Sequence, residues 1–212
     1  MTQPEIEGLY AVTPDIQETS SLISMVRQAI AGGACVIQYR NKTASAALRL
    51  EQARSLAGLC RQFHVPLIIN DHLDLAIEVS ADGVHLGRED SSIVEARRKL
   101  GTGKIVGASC YNLLEHAFEA EREGADYVAF GAFFASTTKP GAVTASVDLL
   151  RRGKATLHVP IVAIGGISPN NALELIHAGA DVLAVSSSLF GVSNIRSMAA
   201  SFAGLFSKTI AR

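Results

Sequence analysis

The chain has 212 residues, of which 48% are hydrophobic and 18% are charged, and its formal net charge is -1 at pH 7. A chain of this length and apolar content can bury a sizeable core, as one domain or as two small ones. Acidic and basic residues are interspersed, so no broad basic surface of the kind that binds nucleic acid or an anionic membrane is expected. Any anion that the protein binds must be held by a local cluster of side chains.

No stretch of the sequence has the pattern of a targeting or membrane segment. Residues 1–7 lack a basic region followed by a long apolar core, and no later run approaches the ~20 apolar residues of a membrane span. The cysteines Cys35, Cys60 and Cys110 are odd in number and lack the short paired spacing of zinc or redox motifs. These observations predict a cytoplasmic protein with reduced thiols.

Short apolar runs alternate with amphipathic segments along the whole chain. Segments such as 44–64 and 112–123 place apolar residues at helical spacing, whereas the apolar runs are continuous, as in strands with both faces covered. This alternation is typical of a parallel sheet. Eight strands are predicted, near residues 8–13, 35–41, 66–71, 83–87, 105–110, 127–133, 160–166 and 182–187.

A short run of small residues, called here the small-residue step, recurs directly before every second strand. It indicates a repeating unit of two strands and two helices. Four such units predict an α/β fold, a (β/α)8 TIM barrel, as a single domain over residues 1–212. An open doubly wound sheet is the alternative, but it normally has fewer strands and a glycine-rich first turn, which residues 8–13 lack. The step occurs at Gly33-Ala34, Ala81-Asp82-Gly83, Gly124-Ala125-Asp126 and Gly179-Ala180-Asp181.

Polar residues gather where the second predicted strand ends, which is where such barrels place their chemistry. Within Gln38-Tyr39-Arg40-Asn41-Lys42, alternation puts Gln38, Arg40 and Lys42 on one face. Two cations and an amide on one side of a strand end favour a multiply charged anion, and a pyrophosphate is the natural candidate. A solvated strand end with an internal salt bridge remains the alternative, because short motifs give many false positives.

The next two strands contribute a pair of carboxylates. The third ends in Asn70-Asp71, and the fourth leads into Arg88-Glu89-Asp90. Because these strands are neighbours in a barrel, Asp71 and Asp90 can approach one another, and two carboxylates beside a pyrophosphate site suggest a shared Mg2+. Each aspartate alone could instead cap the helix that follows it, but the two together, beside Arg40 and Lys42, favour metal binding.

The later strands predict a second anion site on the same rim. The fifth strand ends near Ser109, and the sixth runs into Ser136-Thr137-Thr138-Lys139, which is either a phosphate cradle or an ordinary turn. The seventh strand ends in Gly165-Gly166 and the eighth in Val185-Ser186. Loops after the last two strands are the recurrent phosphate site of this barrel.

The histidines and cysteines predict neither a zinc site nor an activated nucleophile. His85 lies inside a strand and is expected to be a hydrogen-bonded core residue rather than a base. His72 adjoins Asp71 and can reach the rim. Cys110 follows a serine at a strand end, but no partner base is evident for it.

Several motifs occur in a consistent order: Gln38-x-Arg40-x-Lys42, Asn70-Asp71, Ala81-Asp82-Gly83-Val84-His85-Leu86-Gly87 followed by Asp90, Gly107-Ala108-Ser109, Thr138-Lys139 and Gly165-Gly166-Ile167. Over nearly the whole chain they resemble the pattern of the thiamine-phosphate synthases. The resemblance implies a Mg2+-dependent transferase built as a (β/α)8 barrel. It joins hydroxymethylpyrimidine diphosphate to a thiazole phosphate, or its carboxylated form, and releases pyrophosphate and thiamine phosphate.

The resemblance also assigns roles by position. Asp71 and Asp90 would bind Mg2+, and the catalytic set would be Arg40, Lys42, Ser109 and Lys139. The pyrimidine diphosphate would be bound by Gln38, Arg40, Lys42, Asn70, Ser109 and Lys139, with Tyr39 and Asn41 in the same segment. The thiazole phosphate would be bound by Ser136, Thr138, Gly166, Val185 and Ser186, with Thr137 in the same loop. The chain departs from the common pattern at His72, Arg88, Tyr111 and Ser136.

The family's reaction is expected to be a dissociative substitution in which pyrophosphate leaves and the thiazole nitrogen captures a pyrimidine carbocation. The loop 135–144, with Gly141 as a hinge, is the candidate lid that excludes water. A thiazole tautomerase, another phosphate-binding isomerase barrel and a non-catalytic sensor of thiamine precursors are the alternatives. A homo-oligomer is compatible with the sequence, but no contact patch can be located from it.

Overall fold

The computed structural model describes residues 6–134 and 144–207. Its strands form a closed barrel in which each strand is parallel to the next and the last pairs with the first. This confirms the predicted (β/α)8 barrel. The strands are β1 Gly8–Val12, β2 Ala34–Tyr39, β3 Leu67–Asn70, β4 Gly83–Leu86, β5 Ile105–Tyr111, β6 Tyr127–Gly131, β7 Ile161–Ile164 and β8 Val182–Val185.

Helices surround the barrel and connect its strands. Three of them begin at a serine whose hydroxyl accepts a backbone N–H three residues later: Ser45, Ser92 and Ser146. No helix within the described ranges combines the length and apolarity of a membrane span. The helices are α1 Thr19–Ala31, α2 Ala46–Phe63, α3 Leu73–Glu78, α4 Ile93–Leu100, α5 Leu114–Arg122, α6 Val147–Thr156, α7 Ala172–His177, α8 Ser187–Phe190 and α9 Ile195–Ser207.

Several predicted strands extend beyond the observed ones at their carboxyl ends. The predicted strand 66–71 ends at Asn70, because Asp71 has a left-handed backbone with φ of 62°. The predicted strand 160–166 ends at Ile164, because Gly165 and Gly166 have φ of 100° and 65°. The polar residues that sequence periodicity placed in strands therefore lie in the loops just beyond them.

The recurring small-residue step has a structural explanation at the amino-terminal end of the barrel. Asp82 accepts the backbone N–H of Leu67 at 2.9 Å, across the β3–β4 pair. Asp126 and Asp181 do the same for Val106 and Ile161, at 2.7 and 2.9 Å. Each of these aspartates therefore joins an even-numbered strand to the strand before it.

The core has two parts, one between strands and helices and one inside the barrel. Ile37 and Leu67 belong to the outer part, whereas Tyr10, Ile68 and Tyr127 belong to the interior. The Tyr127 ring has space because a neighbouring strand carries glycine. A Cβ added to Gly107 would lie 2.0 Å from Cζ of Tyr127. The barrel interior therefore combines aliphatic side chains with the rings of Tyr10 and Tyr127, and the two tyrosine hydroxyls are polar groups within it.

Candidate active site

The end of β2 is held in place by residues that follow β1. Thr13, which is fully buried, donates its hydroxyl hydrogen to the Arg40 carbonyl at 2.9 Å and accepts the Arg40 N–H at 2.9 Å. Asp15 accepts the Lys42 N–H at 2.8 Å and lies 3.5 Å from the Arg40 guanidinium. Bonds to Thr13 and Asp15 thus anchor the backbone of the two cationic residues of the predicted anion site at the rim.

The two aspartates lie on the same rim, next to those cations. The Lys42 ammonium is 3.5 Å from a carboxylate oxygen of Asp71. Asp90 accepts the Gly87 N–H at 2.6 Å. Burial raises the pKa of the Asp90 carboxyl, and the nearby Asp71 carboxylate raises it further, although the bond from Gly87 opposes these effects. The structure therefore brings the two carboxyl groups together, as the barrel topology predicted.

Neither aspartate caps a helix. The residue that caps α3 is His72, which makes no side-chain capping bond, and α4 is capped by Ser92. The helix-cap interpretation is therefore wrong for both Asp71 and Asp90. A pair of close carboxylates beside the predicted pyrophosphate site has the oxygen ligands that Mg2+ prefers. Within residues 6–134 and 144–207 there is no group of three or more histidine, cysteine, aspartate or glutamate side chains that suits a metal.

Gln38 and Ser109 face the barrel interior from opposite parts of the sheet. Gln38 donates its Nε2–H to the Tyr10 hydroxyl at 2.9 Å, and the Ser109 hydroxyl lies 2.8 Å from Nε2 of His85. His85 is buried and also contacts the Tyr127 hydroxyl, so the prediction of a hydrogen-bonded core histidine is confirmed. Burial lowers the pKa of His85 to about 4, which leaves its ring neutral at physiological pH.

Tyr39, the last residue of β2, and Asn41, two residues beyond it, both turn towards α2 and away from the interior. Both donate to Oε1 of Gln52, from the Tyr39 hydroxyl at 2.8 Å and from Nδ2 of Asn41 at 3.0 Å. Asn41 also donates to the Ile16 carbonyl at 2.7 Å and accepts the Ala44 N–H at 3.1 Å. These bonds stabilise the β2–α2 connection, and direct substrate contact by Tyr39 and Asn41 stays a prediction.

Asn70 lies at the end of β3 and lines a small polar cavity with Lys42, Asp71 and His72. Arg49 of α2 completes this cavity and donates to the Ala44 carbonyl at 3.0 Å. Burial lowers the pKa of His72, and the positive charge of Arg49 lowers it further. The cavity is thus a mainly polar recess beside the predicted pyrophosphate site.

The second predicted anion site is only partly within the described residues. Gly166 has a left-handed backbone, and its carbonyl accepts a bond from Nδ2 of Asn171 at 3.1 Å. Val185 is buried, and Ser186 is the N-cap residue of α8, where its carbonyl accepts the Leu189 N–H at 3.0 Å. The predicted ligands Ser136, Thr137, Thr138 and Lys139, and residues 135–143 of the candidate lid, lie outside the described residues. Their roles stay predictions.

Comparison with known proteins identifies the family of this chain. The family profile described as thiamine monophosphate synthase matches residues 9–189. The chain belongs to the thiamine monophosphate synthase family. A thiamine-phosphate synthase from Nitrosospira multiformis is 64% identical over 204 residues, which cover 96% of this chain and 87% of that protein. One from Nitrosomonas eutropha is 53% identical over 206 residues, which cover 97% of each protein. The resemblance read from the sequence is thus confirmed.

A solved structure supports the same family assignment. Thiamine phosphate pyrophosphorylase from Pyrococcus furiosus superposes with a TM-score of 0.86 at 33% identity, covering 96% of each chain. Arg88 and Tyr111 are two of the positions at which the sequence resemblance predicts a departure from the common family pattern. Arg88 lines a cavity of about 290 Å³ beside Asp90 and Ser109, and Tyr111 is 45% exposed. A Cβ added to Gly87 would lie 3.0 Å from Oδ2 of Asp90 and 3.7 Å from the Tyr111 hydroxyl, so Tyr111 also lies close to the candidate site.

Sequence reasoning missed residues that support the site without standing at the end of a predicted motif. Thr13 and Asp15 follow β1, and their position at a strand end was the available signal. Tyr10 and Tyr127 look like ordinary core residues in the sequence, because an aromatic residue in an apolar strand is most simply packed there. Their hydrogen bonds to Gln38 and His85 become visible only once the barrel closes.

Proposed function

We propose that this protein is a thiamine-phosphate synthase. It would transfer the pyrimidinylmethyl group of 4-amino-2-methyl-5-hydroxymethylpyrimidine diphosphate to the nitrogen of 4-methyl-5-(2-phosphooxyethyl)thiazole, or of its carboxylated form. The observation that carries the proposal is that two cations, Arg40 and Lys42, and two carboxylates, Asp71 and Asp90, lie close together on one rim of the barrel. Family membership supplies the reaction for which this arrangement is suited.

The cationic side chains would act on the leaving group. Breaking the C–O bond places negative charge on the departing pyrophosphate, and Arg40 and Lys42 lie on the rim where that group would bind. A unit-charge pair ~4 Å apart is worth about 4 kcal/mol at an effective dielectric near 20, before desolvation is subtracted. Because Thr13 and Asp15 hold the backbone of Arg40 and Lys42, only the two side chains would have to adjust when the leaving group binds.

Asp71 and Asp90 would hold Mg2+. The fit rests on the closeness of their carboxyl groups, because that closeness raises the pKa of Asp90 and a bound cation would relieve the repulsion. When bound, Mg2+ supplies positive charge to the phosphate oxygens of the leaving group. Lys42, at 3.5 Å from Asp71, already gives the pair one positive neighbour. The remaining ligands would be phosphate oxygens and water, which is the usual arrangement for this ion.

The barrel interior would receive the pyrimidine and keep water away from the reacting carbon. Tyr10 and Tyr127 are fully buried beneath the rim, and the low pKa of His85 keeps its ring neutral, so none of these three residues places a positive charge where it would oppose a carbocation. The thiazole nitrogen would then capture this cation. Such a reaction needs no strong general base, which agrees with the engagement of both ring nitrogens of His85 in hydrogen bonds.

The decisive experiment is formation of thiamine phosphate by the purified protein from the two precursors. With Mg2+ present, thiamine phosphate and pyrophosphate should form in equal amounts, and a chelator should stop the reaction. Tautomerisation of the thiazole carboxylate phosphate without coupling would favour the tautomerase instead. Binding of the precursors without any turnover would favour the sensor.

The proposed location and assembly are tested separately. A cytoplasmic location and a homo-oligomer are predictions from the sequence alone. Cell fractionation would test the location, and light scattering on the purified protein would test the oligomeric state. A monomer would exclude the oligomer without affecting the proposed reaction.

A further inference from the structure

Five side chains form an unbroken chain of hydrogen bonds through the barrel interior. Gln38 donates to the Tyr10 hydroxyl at 2.9 Å, and the Tyr10 and Tyr127 hydroxyl oxygens are 2.9 Å apart. The Tyr127 hydroxyl lies 2.9 Å from Nδ1 of His85, and Nε2 of His85 lies 2.8 Å from the Ser109 hydroxyl. We call these five residues the interior relay. It links β2, β1, β6, β4 and β5.

The middle of the interior relay is sealed from solvent. Tyr10 and Tyr127 are 1% and 0% exposed, and His85 is 8% exposed. The ring of His85 stacks on that of Tyr127, with centroids 5.6 Å apart, and Tyr127 meets Tyr10 edge to face at 5.9 Å. Because water cannot replace a missing partner there, each hydroxyl hydrogen must find its acceptor within the relay.

This requirement gives the interior relay a direction. A tyrosine hydroxyl has one hydrogen, and Tyr10 already accepts from Gln38, so the Tyr10 hydrogen goes to Tyr127. The Tyr127 hydrogen then goes to Nδ1 of His85, and the neutral ring carries its own hydrogen on Nε2. That hydrogen is donated to the Ser109 oxygen, so the Ser109 hydroxyl hydrogen is left to point into the pocket.

The same reasoning couples the two ends of the interior relay. With Nε2 of Gln38 used as a donor inside the barrel, Oε1 is its remaining polar atom and is an acceptor. If the amide were reversed, every hydrogen along the relay would reverse and Ser109 would donate to His85 instead. The orientation of Gln38 on β2 therefore determines the donor or acceptor character of Ser109 on β5.

We propose that the interior relay sets the hydrogen-bonding polarity of the pyrimidine pocket, with Tyr10, Tyr127 and His85 as positioning residues. The inference rests on the proposed function, in which Gln38 and Ser109 contact the pyrimidine. In the orientation that the structure has, Oε1 of Gln38 accepts from the exocyclic amino group and Ser109 donates to a ring nitrogen. The ligand class is thus an amino-substituted nitrogen heterocycle. A 4-oxo analogue carries a carbonyl in place of the amino group and gains a ring N–H. It therefore presents an acceptor to Gln38 and a donor to Ser109, which is the opposite arrangement of hydrogen-bonding groups.

The first test compares the pyrimidine diphosphate with its 4-oxo analogue in full-length protein. Tyr127→Phe and Tyr10→Phe each remove one hydroxyl and break the relay while keeping the ring. We expect each to reduce the amino-over-oxo preference in kcat/KM by roughly tenfold, the effect of one buried hydrogen bond with its partner left unsatisfied. The control is Cys35→Ala, which alters another interior side chain, bonded to the Leu9 carbonyl, and should leave the preference unchanged.

A second measurement does not depend on turnover. In protein with 15N-labelled histidine, NMR should show the His85 ring protonated at Nε2, with the signal assigned by its loss in His85→Gln. Protonation at Nδ1, or an undiminished preference in either tyrosine variant, would overturn the proposal. If the wild-type protein formed no thiamine phosphate, the proposed function would fail, while the tautomer of His85 would still establish the direction of the relay.

Discussion

The Lys42 ammonium lies 3.5 Å from a carboxylate oxygen of Asp71, across the rim between β2 and β3. The Lys42 side chain is 54% exposed and that of Asp71 is 26% exposed, so the pair is screened by solvent and contributes little to stability. A pair of this kind can separate when a stronger partner arrives. Lys42 can then turn to a pyrophosphate, and Asp71 becomes available to a metal ion.

Removing a rim cation should lower turnover while the fold survives. Arg40→Ala and Lys42→Ala each delete a charge that would stabilise the leaving group, and we expect kcat to fall by roughly 10²-fold or more. Steady-state kinetics and the thermal midpoint of unfolding would be measured together. Arg54→Ala is the matched control, because Arg54 makes an exposed ion pair with Glu78 at 2.7 Å on the outer surface. Near-normal turnover in Arg40→Ala would remove that residue from the catalytic set.

The carboxylate pair should control the requirement for Mg2+. Asp71→Asn removes the negative charge that helps to raise the pKa of Asp90, so this pKa should fall. We expect the Mg2+ concentration for half-maximal rate to rise at least roughly tenfold, since loss of even an outer-shell partner has about that effect. Asp74→Asn is the control, because Asp74 is 92% exposed and pairs with Lys99 at 3.6 Å. An unchanged Mg2+ dependence would exclude Asp71 as a ligand.

Stability should depend on pH through His85. Burial lowers its pKa from 6.5 to about 4 in the folded state, so the unfolded chain takes up a proton first as the pH falls. The contribution of neutral His85 to the free energy of unfolding is complete above pH 6.5 and is lost as the pH falls towards 4. By pH 5 this loss lowers the free energy of unfolding by about 2 kcal/mol. Urea denaturation at pH 7 and pH 5 would measure this loss. His85→Gln should show a smaller loss, and an equal loss in both proteins would contradict the prediction.

The space beside Tyr127 should not tolerate a methyl group. Gly107→Ala would place a Cβ 2.0 Å from Cζ of Tyr127, so the ring must move and its bonds to Tyr10 and His85 must weaken. We expect the free energy of unfolding to fall by about 1–3 kcal/mol, as for other overpacked cores. Gly103→Ala is the control, since nothing lies within 4 Å of its added Cβ. Equal stability of the two variants in denaturant titrations would show that Tyr127 can move freely.

The sequence by itself determined the barrel and the rim charges. Both features that predicted the barrel are local. A continuous apolar run indicates a segment that is buried on both faces. A small-residue step marks the start of a strand, and in three of the steps an aspartate bonds to the strand before it: Asp82, Asp126 and Asp181. The prediction for Arg40 and Lys42 used local information too, namely the alternation expected of a strand, although β2 ends at Tyr39 and both residues lie just beyond it. Tyr39 and Asn41 turn outward, although both belong to the predicted site.

Tertiary structure decided which distant side chains meet. Tyr10 and Tyr127 are 117 residues apart in the chain, yet their hydroxyls are 2.9 Å apart inside the barrel. Their contact depends on closure of the sheet, on the register of β1 and β6, and on the absence of a side chain at Gly107. The pattern within one segment cannot predict which side chains meet across the barrel, because that depends on the positions of all eight strands together.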